Sequence, residues 1–253
     1  MVQLQRLIVR PDQVINQQIH LTEMQQHYLV RVLRLRAGDR FIAVDQQGQW
    51  WLAALNADAT AAILEIISAN TELAAGLALL IALPKTGMDD IVRQATEIGV
   101  QQIVPILSQR TVLNPSAQKL ERWQRIAQEA VEQSERQFVP EIFSPQAWTV
   151  ALQTWNSKLG SCYICEPRHG HPHLLTHLLA AAPDSAAVVI AIGPEGGWTE
   201  PEIEQAIAVG YQPVSLGQRI LRAVTAPLVA LTLVAAVLDT GAARSSAVVK
   251  QPD

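Results

Sequence analysis

Short apolar stretches separated by turn signals open the chain, at residues 7–9, 41–44 and 50–55 within a region running from Leu4 to about Ile67. Such spacing predicts a small β domain. A helical pattern over Thr22 to Leu33 interrupts it, with Thr22 placed to cap the start, while Gly38-Asp39 and Gln47-Gly48 mark turns. The stretch from Ser68 to Gly76 is the expected junction. Beyond it the rhythm changes. An apolar run, residues 77–83, precedes a helical face of Met88, Ile91, Val92, Ala95 and Ile98 that Gly99 closes. A strand is predicted over 102–107, and Asn114 as cap with Pro115 as first residue predicts a second helix burying Leu120, Trp123, Ala127, Ala130 and Val131. Strands recur at 161–165, 187–192 and 212–216, with helices around 174–181, 200–209 and 223–238. Strands alternating with helices predict a mainly parallel sheet, and the fold class is α/β. Val224 to Leu238 is apolar nearly all round, which predicts burial in an interface as well as in a core. The tail after Thr240 is expected to be loosely ordered.

Composition narrows the class. The chain has 253 residues, 49% hydrophobic and 17% charged, which excludes collagen-like, coiled-coil and wholly disordered readings. Its net charge of -4 advertises no general basic surface. The basic set is nonetheless lopsided: all but Lys85, Lys119, Lys158 and Lys250 are arginines, whose planar forks suit oriented phosphates and carboxylates. Arg6, Arg10, Arg31, Arg34, Arg36 and Arg40 against Asp12, Glu23 and Asp39 leave the first forty residues net +3. The amino terminus lacks a signal-peptide core, so export is not expected. The apolar runs at 74–84 and 226–238 are shorter than the roughly 20 residues that span a bilayer, so no membrane span is expected. Cys162 and Cys165 are too few for a disulfide framework, and the expected setting is a reducing cytoplasm.

Two loops stand out as candidate chemistry. Ile192-Gly193-Pro194-Glu195-Gly196-Gly197-Trp198-Thr199 follows a buried strand and precedes a helix that Thr199 and Glu202 can cap. Its glycines allow close backbone approach to a ligand, and exposed amides there could hold a carboxylate or another polar group. A purely structural tight turn is the plainer alternative. Leu216-Gly217-Gln218-Arg219-Ile220-Leu221-Arg222 again lies where a strand yields to a helix. Ile220 and Leu221 there could line a flat apolar ring site while Arg222 faces an anionic or carbonyl-bearing group, or Arg222 could pair at the surface with the aliphatics in the core. Both loops are expected at carboxyl ends of parallel strands, the edge where open sheets bind ligands.

Two further clusters carry weaker signals. Arg93, Glu97, Arg110, Glu129, Glu132, Gln133, Ser134 and Arg136 fit ordinary helix pairs or an RNA-facing rim. Cys162, Cys165, His169, His171, His173 and His177 lie close in sequence, but the gap between the pairs is much shorter than a zinc-finger spacing, and no metal is expected.

The two loops together resemble the signature of the RsmE family, 16S rRNA uracil-N3 methyltransferases of the SPOUT superfamily. The likeness extends to His27 with Val32-Leu33-Arg34, to Lys85 with Thr96-Glu97-Ile98-Gly99-Val100, to Arg110, and to Glu129-Ala130 with Glu132-Gln133-Ser134 and Arg136. It implies a PUA-like, RNA-binding β-barrel at residues 1–72 and a SPOUT methyltransferase domain at 73–253 with a carboxyl-terminal trefoil knot. It implies a homodimer acting on 16S rRNA or the small ribosomal subunit. It also implies S-adenosylmethionine in a pocket of knot loops, with Gly193, Glu195, Gly196 and Gly197 on one loop, Leu216, Gly217, Ile220 and Leu221 on another, and a third beginning near Glu166. Arg222 is then the expected stabiliser of charge on the uracil carbonyls, and Glu195 the candidate for orienting groups or accepting the N3 proton. His27, Arg34, Arg110 and Arg136 are the expected RNA contacts. Where the family pattern is Arg-x-Glu-Thr, this chain has Arg222-Ala223-Val224-Thr225, with no carboxylate at 224. The alternatives are a related enzyme acting on another RNA site or a ribose oxygen, and an RNA-binding assembly factor without turnover.

Overall fold

The computed structural model describes residues 4–45, 48–68, 70–111, 115–180 and 187–248. The chain falls into two units, Met1–Glu72 with Gln128–Val139, and Leu73–Ala127 with Pro140–Asp253.

The first unit is built on strands β1 (Arg6–Ile8), β2 (Val14–Ile15), β3 (Gln18–His20), β4 (Arg40–Val44), β5 (Trp50–Leu55) and β6 (Thr60–Ile67). They form one sheet in the order β1-β4-β5-β6-β3-β2. Among the described residues of this sheet only β1 and β4 run parallel. Asn16 and Gln17, both at positive φ, make the two-residue turn between β2 and β3, the conformation that matches strand twist in tight hairpins. The expected barrel is met in coarser form, as a half-barrel: among the described residues β1 and β2 stand at the sheet's two edges without pairing. A helical segment packs into the core of this sheet. Helix α1 (Glu23–His27) continues into a π-helical turn, Tyr28–Val32, and fully buried Leu29 joins Leu7, Ile19, Phe41 and Leu55 in one core. Thr22 Oγ1 accepts from the Gln25 amide and Gln25 Oε1 accepts from the Thr22 amide, so the expected cap is a reciprocal one. Gln25 then donates from Nε2 to the Ile8 carbonyl at 2.8 Å, fastening α1 to β1.

The second unit is a parallel α/β layer. Its elements are β7 (Gly76–Ala82), α2 (Met88–Ile98), β8 (Gln102–Leu107), α3 (Ala117–Ser134), β9 (Glu141–Ile142), β10 (Gln146–Ala147) and α4 (Trp148–Thr154), the end of α3 belonging to the first unit. There follow β11 (Ser161–Cys165), α5 (Leu174–Ala180), β12 (Ala187–Ile192), α6 (Glu200–Ala208), β13 (Gln212–Val214) and α7 (Ala226–Val248). The strand order is β10-β8-β7-β12-β11-β13, with β9 also on β8 and every pairing parallel. Residues 77–82 of β7 and 188–192 of β12 are almost wholly buried, as both-face coverage by helices requires. Gly99 ends α2 in the left-handed conformation, with a side chain's space there already taken by Leu73.

Four expected boundaries move. Helix α3 starts at Ala117, two residues past Pro115, because the Ser116 carbonyl receives the amides of Lys119 and Leu120; Asn114 lies outside the described residues. Strand β13 stops at Val214 because Ser215 exchanges backbone bonds with Pro172 and Leu174. Helix α7 starts at Ala226, after a turn in which the Arg222 carbonyl accepts from Thr225 and Ala226. It continues to Val248, past the expected loose tail at 240, since the alanines there favour helix and one glycine costs only about 1 kcal/mol. Among the described residues no helix is long and apolar enough to cross a membrane.

The return of Gln128–Val139 to the first unit is held by polar contacts. Glu132 Oε1 accepts from the Ile8 amide at 2.9 Å, and Arg6 pairs with Glu135 at 2.6 Å. Arg136 pairs with Glu72 at 2.6 Å, and Glu72 also accepts from the Gln137 amide at 2.8 Å. Burial pushes the Glu132 carboxyl above its ordinary range, with the Ile8 amide opposing and neighbouring Glu129 reinforcing the rise.

Candidate functional site

Because β7, β11, β12 and β13 run parallel, their carboxyl ends share one edge of the sheet, where open α/β folds bind ligands. The loops that leave them converge on a cavity of about 720 Å³.

The glycine loop after β12 is held at both ends. At its far end, Glu202 is buried and accepts from the Thr199 amide at 2.8 Å, the Thr199 hydroxyl at 2.9 Å and the Gln109 amide at 2.8 Å. Trp198 is buried with its ring stacked on Trp148, centroids 4.5 Å apart. Any side chain at Gly193 would press on Trp198 at 3.2 Å. Within the loop, Arg110 Nη1 donates to the Gly196 carbonyl at 2.5 Å, and the Lys85 amide donates to Glu195 Oε1 at 2.8 Å. The loop is thus a preformed wall rather than a free turn.

The loop after β13 turns at Gly217, whose φ of +117° disfavours any residue with a side chain. Leu216, Ile220 and Leu221 line the cavity, with Ile220 71% exposed. Arg219 and Arg222 line it as well, and among the described residues neither guanidinium has a hydrogen-bonding or ionic partner. Val224 also lines it and lies against Gly87, where a side chain would meet it at 2.6 Å.

The loop after β11 supplies Glu166, buried at the cavity wall. Its Oε2 accepts from the amides of Arg168 at 2.8 Å and His169 at 3.0 Å and meets His169 Nδ1 at 2.9 Å. His171 Nε2 stands 3.8 Å from the same oxygen. Cys162 and Cys165 are free and buried, and burial pushes both thiols up to about 12, so neither is a thiolate nucleophile at neutral pH.

Glu166, Gly193, Glu195, Gly196, Gly197, Leu216, Ile220, Leu221, Arg222 and Arg110 therefore line one cavity, while Gly217 shapes the loop without lining it. Arg110 reaches it as the clamp on Gly196. Arg136, expected at an RNA-facing rim, is buried at 2% exposure against Glu72 and is unavailable to such a partner. In the first unit His27 is exposed and lines a shallow groove of about 310 Å³ with Arg31. Arg34 is exposed, in the left-handed conformation, and does not line that groove. The sequence reading passed over Thr86, Arg168, His169 and Arg219 as site residues, although all four line the cavity. Their position just past predicted strand ends was the available signal.

Two family models match successive parts of the chain. An RNA methyltransferase domain model matches residues 71–235, and an RNA methyltransferase PUA domain model matches 21–67. The chain is 47% identical over 238 residues to ribosomal RNA small subunit methyltransferase E of Synechocystis sp., covering 93% of this chain and 78% of that one. It is 30% identical over 225 residues to the Bacillus subtilis protein of the same name, covering 85% and 88%. Among solved structures, ribosomal RNA small subunit methyltransferase E from Neisseria gonorrhoeae bound to S-adenosyl methionine superposes with a TM-score of 0.81 at 31% identity, covering 90% of this chain and 95% of that one.

Proposed function

The chain belongs to the ribosomal RNA small subunit methyltransferase E family, and on that premise we propose that it methylates N3 of a uracil in 16S rRNA with S-adenosylmethionine as donor. The observation that carries this reading is the convergence of the loops after β11, β12 and β13 on one cavity. The residues present suit the cofactor. About 720 Å³ accommodates a nucleoside-sized ligand. Leu216, Ile220 and Leu221 offer apolar surface to a flat ring, and the Gly193–Gly197 backbone and the Glu166 carboxylate offer polar partners. When bound, the cofactor supplies a methyl group activated by its positive sulfur.

The protein's own residues do the rest. Arg222, exposed at the rim and unpaired among the described residues, stabilises the charge that spreads onto the uracil carbonyl oxygens as N3 loses its proton. Glu195 acts as an orienting group, with one carboxylate oxygen already engaged by the Lys85 amide. Arg110 acts through the loop it clamps. The target base has to present its Watson–Crick edge, from a loop or after flipping.

The architecture follows the same reading. Residues 1–72 form the RNA-binding domain, supported by the PUA match and the net +3 of the first forty residues, with His27 and Arg34 among the contacts. Residues 73–253 carry the methyltransferase domain, apart from 128–139, which belong with the first unit. A knot is supported by connectivity: β13 lies outside β11, yet α7, which follows it, packs back on β12 and α2. A homodimer is supported by α7, whose Leu228, Val229, Leu233, Val237 and Leu238 are only half-buried. The two free cysteines suit a reducing cytoplasm.

Labelled S-adenosylmethionine incubated with the protein and unmodified small-subunit RNA or particles tests the reading. Label mapped to uracil N3 is the expected result, and its absence on both substrates overturns it. Arg222→Ala is expected to lower kcat by about 100-fold or more while leaving cofactor affinity nearly unchanged.

A further inference from the structure

The loop after β11 gathers Glu166, His169 and His171 about one point. Their ligand atoms all lie within 4.8 Å of one another. The methyl-transfer reading gives the two histidines no task.

Glu166 is the fixed member. Its side chain is 8% exposed, and the amides of Arg168 and His169 hold Oε2 in place. The histidines are free to adjust, with side chains 55% and 27% exposed. Gly170 between them has a φ of +67°, the left-handed turn that brings both rings to the same carboxylate. A tetrahedral zinc ion with ligands about 2.0–2.1 Å away needs donor atoms roughly 3.3 Å apart. The distances of 2.9 Å from His169 Nδ1 and 3.8 Å from His171 Nε2 to Glu166 Oε2 bracket that value. Ring movements within the 4.8 Å span of the three donors bring them to that spacing.

The donor chemistry selects the class of ion. Two imidazoles and one carboxylate suit zinc and its transition-metal neighbours, whereas magnesium and calcium prefer all-oxygen shells.

We propose that Glu166, His169 and His171 form a binding site for one divalent ion of the zinc class, set on the wall of the cavity. Three protein ligands leave a fourth position open to water. Glu166 and His169 both line the cavity, so the ion adds two positive charges to its wall. Resting on the proposed function, a bound ion then opposes a positively charged sulfonium cofactor and weakens its binding.

The test uses the full chain without a histidine tag, stripped with chelator. Zinc titration by calorimetry, and cobalt titration followed by visible absorption, are expected to show one ion per chain. His171→Ala, which leaves the cavity lining intact, is expected to weaken zinc binding about tenfold or more. His171→Asn serves as a second variant that keeps a polar side chain in the loop. Zinc at a concentration that fills the parent site and leaves the variants largely empty is expected to raise the S-adenosylmethionine Kd about fivefold or more in the parent and not in either variant. Absence of one-to-one binding, or equal zinc affinity in parent and both variants, overturns the site. Stoichiometric zinc with unchanged cofactor affinity overturns the coupling. Failure of the zinc-free parent to bind S-adenosylmethionine counts against the proposed function instead, while the metal titration still reports on the site.

Discussion

The Lys85 backbone amide donates to Glu195 Oε1 at 2.8 Å, tying the loop after β7 to the glycine loop after β12 across 110 positions of sequence. A hydrogen bond to a charged acceptor contributes about 1.5–3 kcal/mol. Glu195→Ala is therefore expected to weaken S-adenosylmethionine binding by about 10- to 100-fold, measured by calorimetry. Glu195→Gln keeps an acceptor and is expected to retain both affinity and most turnover. Intact affinity with turnover abolished in Glu195→Gln would instead make this carboxylate the proton acceptor.

Arg110 is a clamp on the glycine loop, through the Gly196 carbonyl. Arg110→Ala is expected to weaken cofactor binding by about tenfold with RNA affinity little changed. The dependence of RNA binding on salt distinguishes the roles. A direct phosphate contact would reduce the slope of log K against log salt by about one on removal, and no such reduction is expected.

Arg136 and Glu72 form a pair at 2.6 Å with side chains only 3% and 11% exposed. Removing one partner takes the opposite charge away from the other in a site from which water is excluded, at about 3–5 kcal/mol. Glu72→Ala additionally deprives the Gln137 amide of its acceptor. Arg136→Ala and Glu72→Ala are both expected to lower the urea midpoint of the first unit's unfolding. A small, equal loss of RNA affinity with unchanged stability would point to a surface role instead.

Glu132 makes stability depend on pH in a stated direction. Its carboxyl is raised in the folded chain, chiefly by burial. From its ordinary value near 4.5 up to the raised value, the folded state holds a proton that the unfolded state has lost. Stability contributed by this group is therefore full below that window and falls as pH rises through it. Glu132→Gln removes the titration and leaves a side-chain oxygen for the Ile8 amide. The unfolding free energy of the parent minus that of Glu132→Gln is expected to decline from pH 4 toward neutrality. A difference that is flat or rises over that range refutes the assignment.

Local pattern revealed much of this molecule and missed specific things for specific reasons. Helix α2 was legible because its apolar positions repeat at helical spacing and Gly99 ends it, both properties of neighbouring residues. The cap formed by Thr22 and Gln25 could be placed at Thr22 because capping is decided within one turn. Arg136 was misplaced because a charged residue after a helix looks solvated until its partner is known, and Glu72 lies 64 positions away. Arg110 is an expected RNA contact in the sequence, and its place as a clamp on the glycine loop was hidden for the same reason, since Gly196 is 86 positions distant.

Strand alternation, turn residues, caps and the two glycine-bearing loops belong to the order of residues, because each depends on contacts a few positions apart. Which loops meet, which arginine is buried and which remains open at the cavity were settled by folding. Those outcomes depend on desolvation and on partners brought together by parallel strands, and a linear pattern carries no record of either. The gathering of Glu166, His169 and His171 about one carboxylate oxygen lies between the two, close in sequence yet visible only once the turn at Gly170 has its shape.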